Sequence, residues 1–321
     1  MKNTEDTSAN IRRGQVIRGS HNILTVRVQT EEGLKELECR IKGKVLQTEQ
    51  EYYNPFAPGD RVTVEHQKNT NTALILSLEK RKNLFSRFNQ KESSSQLLAA
   101  NIDLVLCLTT PVSPPFRPRF IDRVLLQADI AGIEAAIVCN KIDIEYDDID
   151  VDERLEDFKR IGFNVLFVSA KTGEGLDELC AVMKGKTSVL TGQSGVGKSS
   201  LINAMHPGLN IKEGRLNEKY DRGAHTTTMS FLADICESTH VIDTPGVRLF
   251  IPDGIKADEV IFHMKEFSPL AGKCSYGLSC SHKTEPGCKI MEAVDAGIIH
   301  EDRYESFLRI REDIEGNISE Y

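Results

Sequence analysis

Gly192-Gln193-Ser194-Gly195-Val196-Gly197-Lys198-Ser199 matches the phosphate-binding pattern G-x-x-x-x-G-K-[ST] at every fixed position. Its chemistry is the capture of a nucleoside triphosphate. The glycines let backbone N–H groups wrap around the phosphates, Lys198 reaches the β- and γ-phosphates, and the Ser199 hydroxyl can bind Mg²⁺. The flanks agree. Residues 187–191 read as a short buried strand, and Ser200 opens an apolar run with helical character. A glycine-rich turn matching by chance would not bring both.

A second group of residues can read a base. In Asn140-Lys141-Ile142-Asp143, the Asp143 carboxylate can accept two N–H bonds from guanine N1 and N2, a donor pair that adenine lacks. Ser169-Ala170-Lys171 follows at the end of the next expected strand, where a backbone N–H could meet guanine O6. Asp243-Thr244-Pro245-Gly246 supplies a carboxylate on the Mg²⁺ side and a glycine N–H able to sense the γ-phosphate. Between them lie Thr226, Thr227 and Thr228, one of which is expected on Mg²⁺ as a switch threonine.

The residue after Gly246 is Val247, where many GTPases place a glutamine that orients the attacking water. Valine cannot do this. His225 is the candidate in its place, with an ordinary surface-loop histidine as the competing reading. Lys198 and Thr227 are the other candidate catalytic side chains.

A third constellation is Cys274-x₅-Cys280-x-His282-x₅-Cys288. Three thiolates and one imidazole suit a closed, tetrahedral, structural Zn²⁺ site with no coordination position left for catalysis.

The elements that must position these groups differ along the chain. Residues 1–10 are polar and expected disordered. Residues 11–80 hold five short alternating runs with turns between them. They suggest a small β-barrel, an OB-fold first and an SH3-type barrel as the alternative. Residues 81–98 read as a basic linker with exposed-looking Phe85 and Phe88, either a solvated connector or a phosphate contact.

From 99 to 250, six buried strands alternate with helices, as in an α/β sheet covered on both faces. Residues 251–321 read as helical around the cysteine cluster, with Tyr304, Phe307, Leu308 and Ile310 packing inward.

Composition sets outer bounds. The chain has 321 residues and a net charge of −8. That charge is uneven: residues 11–91 hold 15 Lys and Arg against 9 Asp and Glu, so the acidic balance lies elsewhere. A basic module on an acidic chain suits an RNA-facing end. No apolar run is long enough to cross a bilayer and the start is not a signal peptide, so a cytoplasmic, monomeric protein away from membranes is expected. Of the eight cysteines only three cluster, which argues against a disulfide framework.

In a GTPase the P-loop ordinarily comes first and N-K-x-D later. Here the order is N-K-x-D, S-A-K, P-loop, threonines, D-x-x-G, which is a circular permutation. The new chain ends fall just after the D-x-x-G switch. Loss of the γ-phosphate is therefore expected to be felt in both flanking domains.

With these motifs the chain resembles the circularly permuted, ribosome small-subunit-dependent GTPases of bacteria over nearly its whole length. The resemblance implies an OB-fold, a permuted G domain and a zinc domain, in that order. It implies GTP or GDP bound by Asn140 to Asp143 and Gly192 to Ser200, beside the Ser169 to Lys171, Asp243 and Gly246 read from the motifs above, and Zn²⁺ on Cys274, Cys280, His282 and Cys288. It further implies binding to the small (30S) subunit and its 16S rRNA, a role late in subunit maturation, and GTP hydrolysis that is faster on the subunit. Ala224, before His225, departs from the more polar or basic residue expected there. A switch acting on a protein partner without RNA, and an RNA-binding module with a hydrolytically dead site, are the competing readings.

Overall fold

The computed structural model describes residues 10–20, 23–41, 52–66, 71–209, 211, 230–246 and 249–318. Alternating apolar residues near the start form β1 (Asn10–Ser20), β2 (Ile23–Thr30), β3 (Gly33–Ile41), β4 (Arg61–His66) and β5 (Thr72–Leu78). Their order is β1-β2-β3-β5-β4, and β4 pairs back onto β1, so the sheet closes. β3 and β5 run parallel, and the other pairings are antiparallel. The result is the expected OB-type barrel. Period-two alternation turns Leu24, Val26 and Val28 inward along β2, against Val16, Leu37, Val62, Val64 and Ile75.

The residues expected to form a linker fold instead. β6 (Leu84–Asn89) and β7 (Ser94–Ala100) make an antiparallel hairpin. Phe85 is fully buried, not exposed, and its ring lies 5.7 Å from Phe250. Burying a phenylalanine stabilises by roughly 1.5–3 kcal/mol, one contribution to holding the hairpin against its neighbours.

Arg81 is not a free cation either. It donates to Asp60 at 2.7 and 2.8 Å and to the Pro55 carbonyl at 2.7 Å. Lys82 pairs with Asp103 at 2.7 Å. Two of the three cations in the Lys80-Arg81-Lys82 run thus hold elements together.

The central strands are β8 (Leu104–Thr109), β9 (Glu134–Asn140), β10 (Asn164–Val168), β11 (Thr187–Gly192), β12 (Phe231–Cys236) and β13 (Thr239–Asp243), in the order β10-β9-β8-β11-β13-β12. Only β12 is antiparallel to its sheet neighbour β13. Val105 and Cys107 face α1 (Pro118–Ile130) and α2 (Ile149–Arg160). Leu104, Leu106 and Leu108 face α3 (Leu176–Met183) and α4 (Lys198–Met205) on the other side. Both faces are covered, which explains the unbroken apolar runs. β12 also pairs with β1 at Phe231 and Arg18, so the barrel continues the central sheet.

Beyond Phe250 regular helix is scarcer than expected. Three short 3-10 segments precede α5 (Lys289–Asp295) and α6 (Glu301–Ile318). Phe307 and Ile310 are buried as expected, with Tyr304 and Leu308 packed beside them.

Charge fixes this unit to the central one. Arg303 of α6, 2% exposed, donates to Asp122 of α1 at 2.7 Å and to Glu266 at 2.6 and 2.8 Å. Leaving either acid alone in that interior would cost several kcal/mol, so the geometry is held as a set. Among the described residues no helix is long and apolar enough to cross a membrane.

Candidate nucleotide site and metal centre

The carboxyl ends of β11, β9, β10 and β13 meet on one side of the sheet and bring the separated motifs together. Such an edge is where open α/β sheets bind ligands. The loop after β11 turns into α4 at Gly197, whose φ is 93°. A Cβ there would lie 2.4 Å from Asn140 Nδ2, so the conformation and the close approach both require glycine.

Asn140 ties the two halves of the site. Its Nδ2 donates to the Val196 carbonyl at 2.9 Å, and its Oδ1 accepts from the Ala170 N–H at 3.1 Å. Lys141 donates to the carbonyls of Gly195 at 2.8 Å and Ser113 at 2.7 Å. Ser113 lies in a proline-rich loop after β8 that the sequence reading did not single out. The signal was there, in Pro111-Val-Ser-Pro-Pro directly after a strand.

Ile142 is half-buried and continues the backbone towards Asp143, its N–H directed at the Val168 carbonyl at 3.4 Å. Asp143 Oδ1 accepts from the Ser169 hydroxyl at 2.7 Å, and Oδ2 lies 3.4 Å from Lys171 Nζ. The Ser169 hydrogen bond first, and Lys171 with it, hold the Asp143 carboxyl below the usual carboxylate range. It is therefore an ionised acceptor, the state needed to take two N–H donors.

On the phosphate side, Lys198 is 8% exposed and donates to the carbonyls of Gly192 at 3.1 Å and Gln193 at 3.2 Å. Burial pulls its ammonium below the ordinary lysine value. Ser199 and Ser200 are half-buried at the start of α4.

Asp243, at the end of β13, is 1% exposed, and among the described residues neither carboxylate oxygen has a hydrogen-bond partner. Burial pushes its pKa up to about 7, with the Lys198 charge opposing. A buried, unpartnered carboxylate is costly, and a divalent cation with its waters satisfies it. The residues therefore fit Mg²⁺.

Thr244 anchors the strand end by donating its hydroxyl to the Leu190 carbonyl at 2.7 Å. Gly246 comes directly onto the P-loop: a Cβ there would lie 2.8 Å from Ser194 Cα. His225, Thr226, Thr227, Thr228 and Val247 lie outside the described residues.

The sulfur cluster is assembled as its spacing suggested. The ligand atoms of Cys274, Cys280, His282 and Cys288 lie within 4.8 Å of one another, and all four residues are buried. Cys274 Sγ is 3.9 Å from Cys288 Sγ, and His282 Nδ1 is 3.5 and 3.4 Å from those two sulfurs. A tetrahedron with Zn–S and Zn–N bonds of ordinary length has edges of about 3.8 and 3.5 Å. The donor set fits Zn²⁺, and it is Nδ1 of the imidazole that faces the sulfurs.

Burial pushes the Cys280 thiol up to about 12 and lowers the His282 pKa. The imidazole is thus neutral, as a ligand must be, and the Cys280 and Cys288 thiols, both raised by burial, need a cation to ionise. Around them, Lys289 donates its N–H to Cys274 Sγ at 3.3 Å, and Tyr304 donates its hydroxyl to the His282 carbonyl at 2.6 Å.

Comparison with known proteins agrees with this geometry. The RsgA GTPase family profile matches residues 78–251. A small ribosomal subunit biogenesis GTPase RsgA from Flavobacterium psychrophilum is 37% identical over 282 residues, covering 86% of this chain and 86% of the relative. The protein of that name from Bacteroides fragilis is 36% identical over 90% of this chain and 93% of its own length.

The crystal structure of YjeQ from Thermotoga maritima superposes with a TM-score of 0.71 at 33% identity, over 96% of this chain and 99% of that one. YloQ, described as a circularly permuted GTPase, shares the fold with a TM-score of 0.67 at 22% identity, over 98% of each chain. Taken with the P-loop and the guanine-reading motif in one cleft, these matches establish that the chain belongs to the RsgA GTPase family and is a GTP hydrolase.

Proposed function

We propose that this GTPase acts on the small (30S) ribosomal subunit during its late maturation, binding 16S rRNA and hydrolysing GTP faster when bound. The relatives' printed role in small-subunit biogenesis supports the target, and the OB-type barrel with its basic balance supports the RNA contact. The observation that carries the catalytic part is Asn140, whose two side-chain ends join the P-loop to the guanine-reading loop. One nucleotide then spans both. On this reading the protein is a cytoplasmic monomer with a barrel near 11–80, a permuted G domain near 99–250 and a zinc domain beyond 251.

Within that domain the roles follow from position. Asp143 takes guanine N1–H and N2–H, the Ala170 region meets O6, and Lys141 braces the P-loop against the base side. The N–H groups of 193–200 cradle the phosphates. Lys198 exchanges its present carbonyl partners for β- and γ-phosphate oxygens. Ser199, Asp243 and one of Thr226 to Thr228 would hold Mg²⁺, which neutralises charge developing on the phosphates. The Gly246 N–H senses the γ-phosphate. His225 orients the attacking water, and Cys274, Cys280, His282 and Cys288 hold one structural Zn²⁺.

Sedimentation with purified small subunits across a salt series tests the target. Binding in the presence of a GTP analogue, weakening steeply with salt, is the expected result. Salt-insensitive binding, or capture by a protein partner alone, would favour the switch without RNA.

A further inference from the structure

Between Gly192 and Lys198 the loop offers few side chains to the open face. Gln193 and Val196 are buried, at 7% and 1% exposure, and Gly195 and Gly197 have none. Ser194 alone turns a polar side chain outward. It is also the residue on which Gly246 rests, with a Cβ at Gly246 falling 2.9 Å from Ser194 N and 3.2 Å from Ser194 Cβ. The loop between Ser194 and Lys198 is pinned from the base side by Asn140 and Lys141, so its outer edge has a fixed placement. Among the described residues the Ser194 hydroxyl has no hydrogen-bond partner. The neighbour of Gly246 is Val247, which has no polar side-chain atom.

We infer that the Ser194 hydroxyl holds the γ-phosphate and the attacking water in line from within the P-loop, sharing with His225 the task that Val247 cannot do. The inference rests on the nucleotide site described above. In the step concerned, the water oxygen bonds to the γ-phosphorus and the bond to the β–γ bridging oxygen breaks, its electron pair leaving with GDP. The water's protons end on the phosphate product and the solvent. Ser194 donates to a γ-phosphate oxygen and accepts from the water, and it undergoes no net change. The geometry favours this hydroxyl because Gly246, the γ-phosphate sensor, approaches no nearer polar side chain of the loop.

The test uses the full chain with Ser194→Ala and Ser194→Gly. Single-turnover GTP hydrolysis, GDP affinity and formation of the GDP–aluminium fluoride complex are measured against the unsubstituted protein. Ser194→Ala is expected to slow hydrolysis by about tenfold to a hundredfold. GDP affinity should stay within about twofold, while aluminium fluoride trapping weakens, because only that complex resembles the transferring phosphoryl group. Unchanged hydrolysis in Ser194→Ala overturns the inference. So does a parallel loss of GDP affinity, which would mean the hydroxyl shapes the loop instead. Faster hydrolysis in Ser194→Gly would show an obstruction and overturn it too. An unsubstituted chain that bound no guanine nucleotide would overturn the site reading itself, a separate outcome.

Discussion

Ser169 donates its hydroxyl to Asp143 Oδ1 at 2.7 Å, and the Thr172 N–H donates to that same Ser169 oxygen at 3.1 Å. The base-reading carboxylate is thereby aimed by the loop after β10, a neighbouring strand, before any ligand arrives. Asp143→Asn should lower GTP affinity by at least about a hundredfold and shift preference toward xanthosine triphosphate. An amide can donate to the xanthine oxygen but cannot accept two N–H bonds at one edge. Nucleotide binding assays with both bases check this, and unchanged GTP affinity would remove Asp143 from the site.

The chain leaving the switch is clasped by the hairpin. Asp253 accepts from the hydroxyls of Ser86 and Ser95, each at 2.7 Å, and its N–H donates to Gln127 at 2.7 Å. Phe88 donates its N–H to the Ile251 carbonyl at 3.0 Å. Movement at Gly246 therefore has a short route into β6 and β7, and from there to the barrel through the Ala100 N–H on the Pro58 carbonyl at 3.0 Å. Hydrogen exchange with a GTP analogue against GDP should show changed protection in residues 84–100 and 249–253. Changes confined to the P-loop and its immediate strands would contradict this coupling.

Asp243 predicts a pH signature of the nucleotide-free protein. Its folded pKa of about 7 lies above its unfolded value, so the folded state keeps a proton that the unfolded chain has lost. Stability should fall as pH rises through roughly 4 to 7 and level off above. Asp243→Asn removes the buried charge. Without nucleotide or Mg²⁺ it should be more stable than the unsubstituted protein at pH 8, by on the order of a few kcal/mol, with the gap closing toward pH 4. Thermal melts across pH read this directly. Equal stability at pH 8 would mean the carboxylate is solvated or paired.

How much of this was legible depended on whether the chemistry was local. Gly192 to Ser199 announces itself because every fixed residue is contiguous, and the zinc ligands span only residues 274–288. The six central strands were visible because each is apolar on both faces. The hairpin was not. Its strands carry Ser86, Arg87, Ser95 and Gln96, and two of those polar groups are satisfied by Asp253, far along the chain. Arg81 misled in the same way, because its partner Asp60 is 21 residues away. No local pattern shows that Asn140 meets Val196 either. The sequence shows which residues can bond, and the fold decides which of them meet.

The metal centre should behave as a staple for the C-terminal unit. Purified protein should carry one zinc per chain. Cys288→Ser should lose it and expose residues 268–300 to proteolysis, because three donors hold the ion less well than four and burial keeps the Cys280 thiol protonated without it. GDP binding should persist, since none of the four ligands lies at the nucleotide site. Retained zinc with an unchanged digestion pattern would contradict the four-ligand assignment.

The central claim is a GTPase switched on by the small ribosomal subunit, and its most direct measurement is GTP turnover with and without purified subunits at low and moderate salt. The account predicts slow intrinsic turnover, strong stimulation by subunits at low salt, and loss of that stimulation as salt rises. Turnover indifferent to subunits at every salt concentration would contradict it, leaving a competent GTPase whose activator is something else.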